Sequence, residues 1–191
     1  EKFSDEFGYE KITISYQDVY NTIIDNNAGG IYHENPGFVG GWGDGRYYNT
    51  IISNNRVAKV VDKQEDGNGG AFRTLGGKVS LYNCNIVNNS AKVSGGGLYG
   101  KFDEVINTII YGNRANGEVS NLSNYYYFID MEKQILKKWQ GLSDLRYCAV
   151  EAGYPGEGNI SLNRDYPLSI NGNSLTSNSS CINAGTDALY D

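Results

Sequence analysis

Residues 83–113 read NCNIVNNSAKVSGGGLYGKFDEVINTIIYGN and contain two copies of one short pattern, NCNIVNN at 83–89 and NTIIYGN at 107–113. Two more copies stand upstream, NTIIDNN at 21–27 and NTIISNN at 49–55. A degenerate fifth begins at Tyr147, inside LRYCAVEAG. If the first Asn of each copy is position zero, that column holds Asn21, Asn49, Asn83, Asn107 and then Tyr147. Position +3 holds Ile24, Ile52, Ile86, Ile110 and Val150, and position −2 holds Val19, Tyr47, Leu81, Val105 and Leu145. Position +6 holds Asn27, Asn55, Asn89 and Asn113. Column identity across copies is the mark of a repeat architecture, in which one unit stacks on the next.

Strand side chains alternate between faces. Up to position zero the inward candidates are even, and from +1 to +5 they are odd, so the chain must bend at zero. Asn tolerates the left-handed backbone that such a corner requires. Stacked Asn21, Asn49, Asn83 and Asn107 amides are expected to hydrogen-bond as a ladder, with Ile24, Ile52, Ile86 and Ile110 filling the core. Gly pairs then lead into apolar strands at Gly29-Gly30-Ile31-Tyr32, Gly69-Gly70-Ala71-Phe72 and Gly96-Gly97-Leu98-Tyr99. Each repeat thus reads as two or three short strands separated by Asn or Gly corners. The prediction is an all-β fold, a right-handed parallel β-helix (a solenoid) of about five coils in one domain over residues 1–191. An irregular insertion is expected at about 114–143 and a closing segment at about 151–191. Tyr125–Asp130 reads as strand, whereas Met131–Gln140 fits either a short helix or a strand pair. Leu is too scarce for a leucine-rich repeat, and the period is too short for a propeller. An immunoglobulin-type sandwich explains strands and turns but not the columns.

Composition agrees with many tight turns: 25 Gly, 3 Pro and 39% hydrophobic residues in 191. The net charge is −6 without a basic cluster, which argues against nucleic acid and against a polybasic membrane contact. No apolar run has the length of a membrane span. The opening at Glu1 lacks a signal peptide, and a processed or truncated product is the expectation.

The stretch GGAFRTLGGKVSLYNCNIVNNSAKVSGGGLYG (residues 69–100) resembles the repeats of bacterial pectin-lyase-like surface proteins. It is similar both to polymorphic outer-membrane-protein repeats and to proteins with a choice-of-anchor Q domain. LRYCAVEAGYPGEGNISLN (145–163) resembles that family's closing coil, and SSCINAGT (179–186) its recurring C-terminal motif. The resemblance spans roughly residues 18–186. It implies a right-handed parallel β-helix exported from a bacterium, often of the Bacteroides type, to the cell surface or beyond. It supplies no activity, and a shared fold does not transfer chemistry.

No catalytic cluster stands out. Position +4 carries Asp25 but then Ser53, Val87 and Tyr111, so no acidic stripe forms. His33, Glu34, Trp42 and Asp44 share a Gly-rich loop and are the leading ligand-binding candidates, beside an ordinary solvated loop as the plainer reading. Tyr126, with Tyr48, Tyr82, Tyr111, Tyr125 and Tyr127, offers flat surfaces for sugar rings, although Tyr48 and Tyr82 share column −1 and packing explains them more simply. Asp62, Glu65 and Asp66 supply oxygen atoms for Ca²⁺, but without EF-hand spacing, and no cofactor is expected. Cys84 and Cys148, both at position +1, are two repeats apart, about 9–10 Å, beyond disulfide reach. Both are expected to be free and buried, as is Cys181. The leading function is a secreted or cell-surface protein of non-enzymatic adhesion, glycan-binding or structural role, with a polysaccharide or surface glycan as partner. The alternative is a polysaccharide lyase or glycoside hydrolase, or a fragment lacking its active-site coils.

Overall fold

The structure is a computed structural model that describes residues 2–4, 10–12, 17–26, 31–33, 45–57, 67–74, 78–130, 135–140, 143–163, 166–169 and 174–187. Among these residues all regular elements are strands. Among the described residues no helix is long and apolar enough to cross a membrane.

Four sheets are built by corresponding strands of successive repeats. The first holds Gln17–Tyr20, Gly45–Tyr48, Val79–Tyr82, Glu104–Ile106 and Leu145–Arg146, neighbours in that order. The second holds Ile23–Asp25, Ile51–Ser53, Asn85–Val87, Ile109–Tyr111, Ala149–Glu151 and Ile160–Leu162. The third holds Arg56–Val57, Ser90–Ala91 and Arg114–Ala115. The fourth holds Ile31–His33, Phe72–Thr74, Leu98–Tyr99 and Leu122–Ser123. Pairing between repeats is parallel throughout, and the registers match like positions: Tyr20 with Tyr48 and Tyr48 with Tyr82, Ile24 with Ile52 and Ile52 with Ile86. A sandwich of antiparallel hairpins does not describe this pairing. Antiparallel pairs occur where Glu118–Val119 folds back on Arg114–Ala115, between Tyr125–Asp130 and Ile135–Gln140, and between Lys2–Ser4 and Glu10–Ile12.

The predicted bend at position zero is present: Asn21, Asn49, Asn83, Asn107 and Tyr147 have φ between 49° and 53°. A second left-handed corner stands at +5, on Asn26, Asn54, Asn88, Gly112 and Ala152. The two corners divide each repeat into faces and explain the changes of inward parity. Residues at −2, +1 and +3 all turn inward, and after the +5 corner +6 turns inward as well. Tyr47, Leu81, Val105 and Leu145 are at most 1% exposed, as are Ile52, Ile86, Ile110 and Val150. Each such side chain contributes roughly 1.5–3 kcal/mol by leaving water. The rings of Tyr47, Phe72 and Phe102 join the first and fourth sheets through edge-to-face contacts at 4.8 and 6.0 Å. The Gly pairs allow close passage of chains, since a Cβ on Gly70 would sit 2.1 Å from the carbonyl oxygen of Gly96.

Three expectations change. The buried amide ladder runs at +6, while the stacking expected at zero is present between Asn49 and Asn21 at the surface. Asn55, Asn89 and Asn113 are 0% exposed, and their Nδ2 groups donate to Oδ1 of Asn89, Asn113 and Asn121 in turn, each at 3.0 Å. Position zero is exposed or half-exposed; there Asn49 Nδ2 donates to Asn21 Oδ1 at 3.2 Å. The physical reason is the corner itself, which turns the zero side chain outward and leaves +6 pointing into the core. Second, residues 114–143 are not wholly irregular. Arg114–Ala115 and Leu122–Ser123 continue the third and fourth sheets, and Asn121 supplies a rung of the ladder. The segment left open, 131–140, contributes a strand at Ile135–Gln140. Third, Cys181 is half-buried rather than buried.

Candidate functional site

The first sheet alternates about its −2 column, although Ser80 and Ile106 at its outer positions are buried as well. Position −2 enters the core, so −3 and −1 face outward. The −1 column begins with Tyr20, Tyr48 and Tyr82, an aromatic choice suited to a pleated, half-buried surface. Their rings stack along the axis, Tyr20 on Tyr48 with centroids 4.8 Å apart and Tyr48 on Tyr82 at 4.9 Å, inclined by 7° and 16°. The faces are therefore turned toward one another, and the column offers ring edges and the exposed Tyr20 (56%) to solvent. The −3 column supplies charge. Arg46 Nε donates to Asp18 Oδ1 at 3.0 Å. Tyr82 donates its hydroxyl to Glu104, whose other oxygen accepts from Arg146 at 2.8 Å, and Arg146 also lies 3.3 Å from Asp144. Burial and the bond to Glu104 push the Tyr82 hydroxyl up to about 12. The result is a strip of stacked rings edged with ion pairs.

The outer face of the second sheet is closed over its later repeats by the C-terminal segment. Asn107 grips the backbone of Thr186 twice, donating to its carbonyl at 2.6 Å and accepting from its N–H at 2.8 Å. Asn88 donates to the Tyr166 hydroxyl at 3.0 Å, and the Tyr166 ring meets Tyr111 edge-on at 5.0 Å. Between sheet and segment lies a cavity of about 230 Å³ lined by Ile109, Ala149, Ile160, Leu168, Leu175 and Cys181, among others. On the uncovered part of this face, Asp25 accepts from Ser53 at 2.6 Å and from Asn54 at 2.8 Å, and these bonds hold its carboxyl below the usual range.

At the end of the amide ladder, Asn121 Nδ2 donates to the Glu151 carbonyl at 3.0 Å. The Glu151 carboxylate accepts from Arg114 at 2.7 and 2.9 Å and from the Gly112 N–H at 2.9 Å. Burial alone would raise the Glu151 pKa, but the bonds from Arg114, Gly112 and Asn121 outweigh it and hold the carboxyl below its ordinary value. This acid closes the structure and is not free for chemistry.

Of the ligand-binding candidates, His33 ends the strand Ile31–His33, opposite Thr74. Glu34, Trp42 and Asp44 lie outside the described residues, as do Asp62, Glu65 and Asp66. Tyr126 sits in the antiparallel pair opposite Trp139. Among the described residues no group of three or more His, Cys, Asp or Glu side chains could hold a metal ion. Cys84 and Cys148 are free and buried, and their thiols donate to carbonyls two residues back, as the Thr hydroxyls of the same column do. Column −1 was visible in the sequence only as Tyr48 and Tyr82; Tyr20 completes it. The −3 charges were not anticipated, since their residue type changes in every repeat. No family model matches the chain, and no curated protein and no solved structure matches it either.

Proposed function

We propose that the four sheets are the faces of one right-handed parallel β-helix of about five coils, and that the chain is a secreted or cell-surface protein whose role is adhesion through glycan binding. The reading of the fold is supported by the identical register of every repeat and by the two left-handed corners that recur in each. Right-handed connection is the general rule for parallel strands. The resemblance of residues 69–100, 145–163 and 179–186 to pectin-lyase-like surface proteins of bacteria points the same way, and it carries the proposed localisation.

The observation that carries the binding reading is the outer strip of the first sheet. Successive rows of Tyr20, Tyr48 and Tyr82 recur at about 4.8 Å, a step of the order of one sugar residue. Asp18, Arg46, Glu104 and Arg146 flank them with donors and acceptors for hydroxyl groups. A linear glycan laid along the axis would meet one row per residue.

The test is a glycan array probed with the intact protein and with the variants Tyr48→Ala, Tyr126→Ala and Trp42→Ala. Binding to a defined glycan that falls about tenfold in Tyr48→Ala, in keeping with the loss of aromatic contact, supports the strip. Binding lost in Trp42→Ala or Tyr126→Ala but retained in Tyr48→Ala moves the site away from the strip to that residue. Absence of signal on every glycan overturns the glycan reading.

A further inference from the structure

The third sheet gathers cations in this acidic chain, with Glu118 and Glu151 the acids near Arg114. Arg56 pairs in register with Ser90, and Ser90 with Arg114. Rows that close, about 4.8 Å apart, bring two arginines and Lys92 to one side of the molecule. They are not equivalent. The Arg114 guanidinium is held by Glu151 at 2.7 and 2.9 Å. Arg56 and Lys92 are exposed, and among the described residues neither makes an ion pair. Two neighbouring cations without an acid repel each other unless an anion joins them.

There is room for one. Arg56, Ser90, Lys92, Asn116 and Gly117 line a cavity of about 370 Å³. Asn116 and Gly117 form the left-handed turn of the hairpin that rises beside it, with φ of 50° and 85°. Nothing lies within 4 Å of where a Gly117 side chain would start, so the turn leaves that side open. The donors have the right chemistry for an oxyanion. Arg56 offers a planar fork, Lys92 a compact point charge, and the Ser90 hydroxyl and Asn116 amide neutral donors. A tetrahedral anion has oxygens to serve the cations from different rows at once. The cavity is larger than a bare ion and lies at the small end of the range for ligand pockets, which suits one sugar ring.

We propose that Arg56 and Lys92 form a binding site for a sulfate or phosphate ester carried on a sugar ring. The site is separate from the tyrosine strip and does not depend on it.

The experiment is calorimetric titration of the intact protein at low salt with a monosulfated disaccharide, its desulfated counterpart, sodium sulfate and sodium phosphate. The sulfated disaccharide should bind, and the desulfated one should bind at least about tenfold more weakly, as expected for loss of charge-assisted bonds. Arg56→Gln and Lys92→Gln should each weaken binding about five- to tenfold without lowering the melting temperature, because both side chains are exposed. Arg56→Lys should recover part of the affinity. Equal affinity in the Gln variants, or no heat from any ligand at millimolar concentration, overturns the site. Inorganic sulfate or phosphate binding as tightly as the sulfated disaccharide overturns the assignment to a sugar ester.

Discussion

Asn89 donates from Nδ2 to Oδ1 of Asn113 at 3.0 Å, and both side chains are fully buried. Asn89 Nδ2 also reaches the carbonyls of Ile52 and Val87, while its Oδ1 accepts from both the N–H and the Nδ2 of Asn55. One amide therefore satisfies groups from three repeats. The donors all point toward the C-terminus, from Asn55 through Asn89 and Asn113 to Asn121, and chains so aligned polarise one another favourably.

Truncating this rung should be costly out of proportion to its size. Asn89→Ala removes the acceptor of the buried Asn55 N–H and deprives the Ile52 and Val87 carbonyls of a donor, while Asn55 Nδ2 keeps only the Ile24 carbonyl. Each unmatched buried group costs about 1–3 kcal/mol, so a loss of about 2–5 kcal/mol is expected in urea denaturation. Asn89→Asp should be no better at neutral pH, because a carboxylate cannot donate to Ile52. A change below half a kcal/mol for Asn89→Ala would refute the ladder's structural role.

The zero corner should respond to backbone rather than to hydrogen bonding. Asn49 has φ of 50° and is exposed. Asn49→Gly should alter stability by only a few tenths of a kcal/mol, since Gly enters the left-handed region freely. Asn49→Ala should cost about 1–2 kcal/mol. Similar losses for the two variants in denaturant titration would show that the side chain, not the corner, matters.

Glu151 introduces a pH dependence whose sign follows from its lowered pKa. A carboxyl depressed in the folded state stabilises the fold fully above its ordinary value of 4.5 and loses that contribution as pH falls through the lower folded value. Denaturation midpoints should therefore fall on acidification below the normal carboxylate range. Glu151→Gln should flatten part of that fall and cost about 1–2 kcal/mol at pH 7, discounted because the Arg114 side chain is 36% exposed. An unchanged acid profile in the variant would assign the fall to other carboxyls.

The columns at zero and +3 were legible because each nearly repeats one residue, and −2 because it stays apolar, and the register joins them as aligned. The +6 Asn column was equally visible, but its role was not. Which of two Asn columns faces inward depends on the left-handed corner at +5, where Asn26, Asn54, Asn88, Gly112 and Ala152 share a conformation and not an identity. Asn121 was illegible as a rung because it reaches the ladder from within the long connection, at no repeat position. In the candidate site, the tyrosine column could be read from like residues in register. The charges beside it could not, because Asp18, Arg46, Ser80, Glu104 and Asp144 complement one another across repeats instead of repeating. The loop of Glu34, Trp42 and Asp44 carries no column at all.

The three thiols should separate by access and by how the C-terminal segment is held. Burial pushes Cys84 up to about 11 and Cys148 up to about 12, so neither forms thiolate at neutral pH. Cys181 is half-buried within the segment that Asn107 pins at Thr186. In the native protein a thiol reagent should modify Cys181 alone and slowly, and all three after denaturation. Asn107→Gly keeps the positive φ of the corner while deleting both bonds to Thr186. It should speed modification of Cys181 and proteolytic cleavage within 174–187, while Cys84 and Cys148 stay protected. Faster labelling of the two core thiols in that variant would mean that the repeats themselves had opened, and unchanged labelling of Cys181 would mean that Asn107 does not hold the segment.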